Sequence, residues 1–208
     1  MSSTESHDRV VRVGRELLNL PNRITLVRTV VAMGVAVAGY HFGTPIWLVI
    51  GYATYWLGDS LDGGVARHLG QETVTGAVFD VVCDRACAFF LAGAFLASYP
   101  SVLGPLAIFL FQFGVLDTML TLSFLLWPDC ISPNYFFRID QPIYRWNWST
   151  VAKGLNTGAV VVSLVIGHNW GVMWLPYLVA LSITAVKLAS IVRLLGILNG
   201  ARAAEPRS

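Results

Sequence analysis

Charged residues are scarce in this chain of 208 residues. Only 12% are Asp, Glu, Lys or Arg, whereas 55% are hydrophobic and the mean hydropathy is +0.63. Soluble domains carry about 25% charged residues, so the composition excludes that class and indicates an all-α integral membrane protein. A net charge of +2 is also too small to indicate a nucleic-acid-binding protein.

Cysteines are few, and we expect no cleavable leader. Cys83, Cys87 and Cys130 form neither a C-x-x-C metal pair nor an even disulfide framework, and we expect free thiols. The residues up to Leu20 are too polar for the apolar part of a signal peptide. We therefore expect the first apolar span to serve as the membrane anchor.

Apolar stretches of about 20 residues, the length that crosses a hydrocarbon core, are predicted six times. They cover residues 22–42, 45–68, 73–99, 102–127, 149–168 and 171–198. We predict six transmembrane helices in one catalytic domain of residues 21–200, followed by a tail of residues 201–208. Residues 1–20 are expected to form an amphipathic interfacial helix, because Val10, Val13 and Leu17 share one helical side; a disordered tail is the alternative.

Basic residues mark one side of these spans. Lys and Arg are absent from the connections near residues 41–45, 98–101 and 167–171. The opposite connections and the termini contain Arg9, Arg12, Arg15, Arg23, Arg67, Arg138, Arg145, Arg202 and Arg207. Cytoplasmic segments are enriched in such residues, so we predict that both termini are cytoplasmic. The aromatic-rich connection 128–148 on this side is either a membrane-anchoring belt or a lining of the substrate site.

Four aspartates contradict the apolar surroundings of the second and third spans. Asp59 and Asp62 are three residues apart and Asp80 and Asp84 are four apart, so each pair shares a helical face. The midpoints of Asp59 with Asp84 and of Asp62 with Asp80 both fall near residue 71. An antiparallel hairpin that turns near Gly70 therefore brings the four carboxylates together.

A carboxylate within a bilayer costs roughly 2.5–3.5 kcal/mol, so this cluster requires positive charge. Mg²⁺ or Mn²⁺ fits best, because both prefer oxygen ligands and no His or Cys of the pattern competes. The cluster is expected to hold one or two such ions in a pocket that opens to the cytosol. Beside it, Gly63, Ala66 and Gly76 leave room for a ligand, and Arg67 is placed to bind phosphate.

These residues match the complete signature of the CDP-alcohol phosphotransferase family: D-x-x-D-G-x-x-A-R, eight residues, G, three residues, D, three residues, D. The chain has it as Asp59, Asp62, Gly63, Ala66, Arg67, Gly76, Asp80 and Asp84. The resemblance implies a homodimeric membrane enzyme that transfers a phosphatidyl group from CDP-diacylglycerol to an alcohol and releases CMP. It also implies two metal ions, held by Asp59, Asp62, Asp80 and Asp84.

The resemblance further implies individual roles. Asp84 would act as general base on the acceptor hydroxyl, while Gly63, Ala66, Arg67 and Gly76 would contact the CDP group. The segment Pro21 to Arg28 is similar to the P-N-x-x-T-x-x-R start of phosphatidylglycerophosphate and cardiolipin synthases. Its Asn22 and Thr25 could line the nucleotide pocket; a helix cap and a snorkelling arginine are the alternative.

The acceptor is less well defined. Four basic residues are expected at the cytosolic third of the bundle, which favours an anionic acceptor: Arg28, Arg145, Lys153 and Arg193. We predict glycerol 3-phosphate, with phosphatidylglycerol or inositol phosphate as alternatives. Against glycerol 3-phosphate, the fifth span has a single Lys153 where phosphatidylglycerophosphate synthases show G-K-x-K-T, and the fourth has Gln112 and Asp117 in place of an R-E pair.

Two further predictions concern charge inside the membrane. Asp117, Arg85 and Lys187 fall at similar depths and are expected to form a structural ion-pair network; a role in acceptor binding is the alternative. The four aspartates could also belong to a cation transporter, but the second and third spans are almost wholly apolar beyond them. A site that opens on one side only favours the enzyme.

Overall fold

The computed structural model describes residues 18–42 and 45–204. Within these ranges the chain is helical and contains no strand, which confirms the all-α class. The predicted interfacial helix of residues 1–20 lies almost entirely outside the described residues, as does the end of the predicted tail. The chain forms two compact units, the first up to Pro100 and the second from Ser101 onward.

Three long helices build the first unit: α1 (Leu20–Phe42), α2 (Pro45–His68) and α3 (Val74–Ser98). Gly70, at φ 61°, provides the left-handed backbone conformation at the predicted turn between α2 and α3. Helix α3 then begins because the hydroxyl of Thr73 accepts a hydrogen bond from the backbone N–H of Gly76 at 2.9 Å. The result is the hairpin on which the aspartates were placed.

The second unit is irregular at its start and regular at its end. A 3₁₀ turn leads into α4 (Leu103–Phe111), a π-helical segment (Gln112–Asp117) and α5 (Thr118–Leu122), and 3₁₀ turns follow at Ser123–Leu126 and Pro133–Arg138. The remaining helices are α6 (Gln141–Asn147), α7 (Thr150–Trp170) and α8 (Trp174–Ala204). Asp140 and Ser149 cap α6 and α7, and Gly171 at φ 70° ends α7.

In the part of the chain that the structure describes, five helical segments are long and apolar enough to cross a membrane: Leu20–Phe42, Val74–Ser98, Pro100–Leu126, Gln141–Trp170 and Trp174–Gly200. Large apolar side chains such as Leu26, Val30 and Val192 are exposed on them, as expected for contact with lipid. The chain is therefore an integral membrane protein by length and composition. Helix α2, the sixth predicted span, forms as a helix but is not among these five, and Asp59, Asp62 and Arg67 lie in its second half.

The aromatic connection 128–148 has a packed core of its own. Phe136 is fully buried, with its ring centroid 5.5 Å from that of Trp127 and 4.8 Å from that of Trp148. Tyr144 packs edge-on against Phe137 at 5.5 Å. These rings therefore pack against one another within the connection. The sequence allows two interpretations of them, a membrane-anchoring belt or a lining of the substrate site, and neither interpretation includes this packing.

A buried ion pair joins two elements of the second unit. The ammonium of Lys187 on α8 lies 2.6 Å from the carboxylate of Asp117 and donates to the side-chain oxygen of Asn147 at 2.8 Å. The predicted pairing of Asp117 with Lys187 is thus present, whereas Arg85 belongs to the first unit. Because Lys187 is only 2% exposed, this pair ties α8 to the π-helical segment and to α6.

Removing one partner of this pair should destabilise the protein strongly. We expect Lys187→Met to lower the free energy of unfolding by about 3–5 kcal/mol, because the buried carboxylate of Asp117 would lose the ammonium that lies 2.6 Å from it. Thermal unfolding in detergent measures the loss, and Lys153→Met, at an exposed lysine, is the matched control. An additional Asp117→Leu change should recover most of the loss; equal stability of Lys187→Met and the parent protein would contradict the prediction.

Candidate active site

The four signature aspartates converge near the turn of the α2–α3 hairpin. Carboxylate oxygens of Asp59, Asp62 and Asp80 lie within 4.8 Å of one another. Asp84, one turn beyond Asp80 on α3, joins them through a shared partner, the guanidinium of Arg28. Helical spacing and the turn at Gly70 are sufficient to produce this arrangement.

Arg28, from α1, lies among the carboxylates. Its Nη2 is 2.5 Å from Asp80, 2.9 Å from Asp84 and 3.6 Å from Asp59, while its Nε donates to Asp62 at 2.7 Å. The arginine side chain is only 3% exposed. The sequence assigns Arg28 to acceptor binding, which stays a prediction; its contact with all four aspartates was not predicted.

Asp62 differs from the other three aspartates. Its side chain is 4% exposed, against 29% for Asp59, 22% for Asp84 and 37% for Asp80. One of its oxygens accepts hydrogen bonds from Arg28 and from the hydroxyl of Thr25, and the other accepts from the backbone N–H of Gly63, each at 2.7 Å. Asp62 therefore forms the floor of the cluster, and the other carboxylates form its open side.

Glycines determine how closely α1 approaches the hairpin. A Cβ at Gly58 would lie 2.7 Å from Cβ and 2.6 Å from Cδ of Arg28, so only glycine leaves room for the arginine stem. A Cβ at Gly76 would lie 3.0 Å from the side-chain oxygen of Asn22. Both predicted nucleotide residues of α1, Asn22 and Thr25, are thus buried against signature residues. The role of Gly58 was missed, although its position one residue before Asp59 was a usable signal.

An apolar layer lies one helical turn beyond the cluster, on the side away from the turn at Gly70. Ala32, Tyr55 and Cys87 are buried there, with Tyr52 and Leu91 packed against them. The Tyr55 ring centroid is 5.4 Å from the guanidinium carbon of Arg28, a cation–π distance. Within the described part of the first unit, the carboxylates are therefore closed off on that side.

The remaining predicted acceptor residues lie in the second unit. Arg193 forms a two-pronged contact with Asp140, with nitrogen–oxygen distances of 2.9–3.0 Å, and Lys153 donates to the side-chain oxygen of Asn134 at 2.8 Å. Arg145 is exposed on α6. Partial burial by itself raises the pKa of Asp140, but the hydrogen bonds from Arg193 and from the Ile143 backbone hold that pKa below its usual value.

The cluster fits a divalent metal ion. The donors that converge are all carboxylate oxygens, the ligands that Mg²⁺ and Mn²⁺ prefer. A guanidinium cation already lies among them and contacts each of the four, so the site accepts positive charge. The three oxygens from Asp59, Asp62 and Asp80 lie within 4.8 Å of one another, close to the separation of about 4.2 Å that opposite ligands of one Mg²⁺ can span at about 2.1 Å each.

Comparison with known proteins agrees with this geometry. The family model described as CDP-alcohol phosphatidyltransferase matches residues 18–182. The phosphatidylinositol phosphate synthase of Corynebacterium glutamicum is 38% identical over 36% of this chain and 34% of its own, and that of Mycolicibacterium smegmatis is 37% identical over 31% and 29%. No solved structure matches significantly.

A third relative is the CDP-diacylglycerol–inositol 3-phosphatidyltransferase of Saccharomyces cerevisiae. It is 35% identical over 48% of this chain and 44% of its own length. The chain thus spans less than half of the length of each of these curated relatives. All three relatives have inositol in their names, and none is named for glycerol 3-phosphate.

Proposed function

The chain belongs to the CDP-alcohol phosphatidyltransferase family, a family of transferases of phosphate groups, and we propose that it transfers a phosphatidyl group from CDP-diacylglycerol to a hydroxyl of an inositol phosphate. The observation that carries the proposal is the convergence of the signature carboxylates at one end of the α2–α3 hairpin. The expected setting is the cytoplasmic face of a homodimer.

The proposed acceptor differs from the glycerol 3-phosphate expected from the sequence. Relatives named for phosphatidylinositol phosphate or inositol favour inositol phosphate, which was among the alternatives. The motif departures at Gln112 and Lys153 point the same way. The exposed basic side chains Arg145 and Arg193 suit a phosphorylated inositol better than free inositol, because an anion needs such partners.

The reaction follows from the chemistry of these side chains. Asp59, Asp62, Asp80 and Asp84 would hold one or two divalent ions, which supply charge neutralisation at the pyrophosphate and at the departing CMP. Asp84 accepts the proton of the acceptor hydroxyl. That oxygen forms a bond to the phosphorus bearing diacylglycerol, and the bond from this phosphorus to the bridging oxygen breaks, so that the oxygen leaves with CMP. Gly63, Ala66 and Arg67 would contact the CDP group.

The test is purified protein in lipid nanodiscs with labelled CDP-diacylglycerol, Mg²⁺ or Mn²⁺, and one acceptor at a time. We expect CMP release with an inositol phosphate that exceeds release with free inositol, glycerol 3-phosphate, phosphatidylglycerol or serine. Chelation with EDTA should abolish it. Release with glycerol 3-phosphate alone would overturn the proposed acceptor, and no release with any acceptor would overturn the proposed activity.

Substitution of Arg193 tests whether this residue binds the phosphate group of the acceptor. We expect Arg193→Gln to raise KM for an inositol phosphate by about 10- to 100-fold, the value of a hydrogen bond to a charged group, with little effect on turnover of free inositol. Asp140→Asn is the matched control, because it breaks the same ion pair but keeps the guanidinium. Equal losses in the two variants would assign Arg193 to structure rather than to the acceptor.

A further inference from the structure

The two terminal nitrogens of Arg28 differ in their contacts with the carboxylates. One nitrogen, Nη2, lies within 3.6 Å of three aspartates, each met through a single oxygen. The other terminal nitrogen, Nη1, is buried and has no hydrogen-bond partner among the described residues. Arginine is at its most favourable in a two-pronged contact with one carboxylate, and Arg28 makes none here.

This geometry is that of a cation at the centre of an oxygen cluster. Three open carboxylates converge on one atom, as they would on a metal ion, while the planar fork of the guanidinium is only partly used. A divalent ion carries twice the charge and accepts oxygens from several directions. The arginine therefore neutralises the cluster but satisfies it less completely than a metal ion can.

We infer that Arg28 is a built-in counter-cation that competes with divalent metal for the aspartate cluster. Without metal, the guanidinium keeps four like charges together inside the membrane. When metal binds, the contacts of Nη2 with Asp59, Asp80 and Asp84 give way, while the contact of Nε with Asp62 at the buried floor can persist. The inference deepens the proposed function and rests on its metal-binding part.

The direction of the effect is specific. If Arg28 competes with metal, removing its charge should raise affinity for the metal, because a positive charge within a few ångströms of the ligands opposes a second cation. If Arg28 only orders the site, its removal should lower that affinity. Binding of Mn²⁺, followed by the electron paramagnetic resonance signal of the free ion, separates the two without any measurement of activity.

The experiment uses the full chain in nanodiscs and compares Arg28→Gln, Arg28→Lys and the parent. We expect Arg28→Gln to bind Mn²⁺ at least about tenfold more tightly, and to lose more thermal stability in EDTA and regain more with Mn²⁺. Arg28→Lys, which keeps the charge, should stay closer to the parent. Arg23→Gln removes an exposed charge from the same helix and should leave Mn²⁺ binding within about twofold, since charges exposed to water are largely screened.

A second variant keeps the inference testable if Arg28→Gln does not fold. Gly58→Ala places a methyl group against the arginine stem and displaces the guanidinium without changing any charge, so it should also tighten Mn²⁺ binding. Gly64→Ala is its control, because nothing lies within 4 Å of a Cβ there. Unchanged or weaker binding in the Arg28→Gln or Gly58→Ala protein would overturn the inference alone. Absence of Mn²⁺ binding by the parent would overturn it together with the proposed metal dependence.

Discussion

Asp84→Asn is expected to reduce CMP release by about 10²- to 10⁴-fold, the range that a positioned general base contributes. The amide keeps the shape of the side chain but cannot accept the acceptor's proton. Asp84 is suited to this role by position, because it is the last carboxylate on α3 and lies partly open at 22% exposure. The assay is initial-rate CMP release at saturating Mn²⁺.

The control for this prediction separates a lost base from a lost charge. Asp129→Asn removes an exposed carboxylate from the connection before α6 and should leave the rate unchanged. Saturation with Mn²⁺ offsets any weaker metal binding in the Asp84 variant. Undiminished release from Asp84→Asn at saturating Mn²⁺ would exclude Asp84 as the base. If the variant also released less CMP than the parent at limiting Mn²⁺, Asp84 would be a metal ligand only.

Much of the first unit could be predicted because its information is local. The helical spacing of Asp59 with Asp62 and of Asp80 with Asp84, and a glycine at the turn, determine which side chains meet in a hairpin. Helix α1 has no comparable spacing pattern that shows which of its faces meets the hairpin. Its rotation follows from packing of Gly58 and Gly76 against Arg28 and Asn22, so an arginine that could equally face lipid headgroups or an acceptor was placed at the acceptor.

Other features depend on information that periodicity does not contain. The π-helical segment Gln112–Asp117 is not visible in an apolar pattern, because it changes the hydrogen bonding and leaves the composition unaltered. The pairing of Asp117 with Lys187 could be anticipated, since buried charges need partners. The identity of the acceptor could not be anticipated, because Lys153 and Arg193 indicate only that an anion is favoured. Several phosphorylated alcohols are anions of this kind.

Asp62→Ala should destabilise the protein by about 3 kcal/mol, whereas Asp80→Ala should not. Among the described residues, Asp62 is the only acceptor for Arg28 Nε, and it also accepts from Thr25 and Gly63. Its removal leaves a charged, buried donor unsatisfied, at a cost of about 1–3 kcal/mol or more, and breaks a buried pair. Asp80 is more open, and its loss reduces repulsion among like charges while two other carboxylates still contact Nη2.

Thermal unfolding in EDTA is the measurement that distinguishes the two aspartates, because metal would otherwise stabilise them unequally. Adding Arg28→Met to Asp62→Ala should recover part of the loss, since the donor without an acceptor is then gone. Both single variants are expected to lose CMP release, so activity alone cannot separate them. Equal stability of Asp62→Ala and Asp80→Ala would show that the buried floor contributes no more to folding than the open side of the cluster.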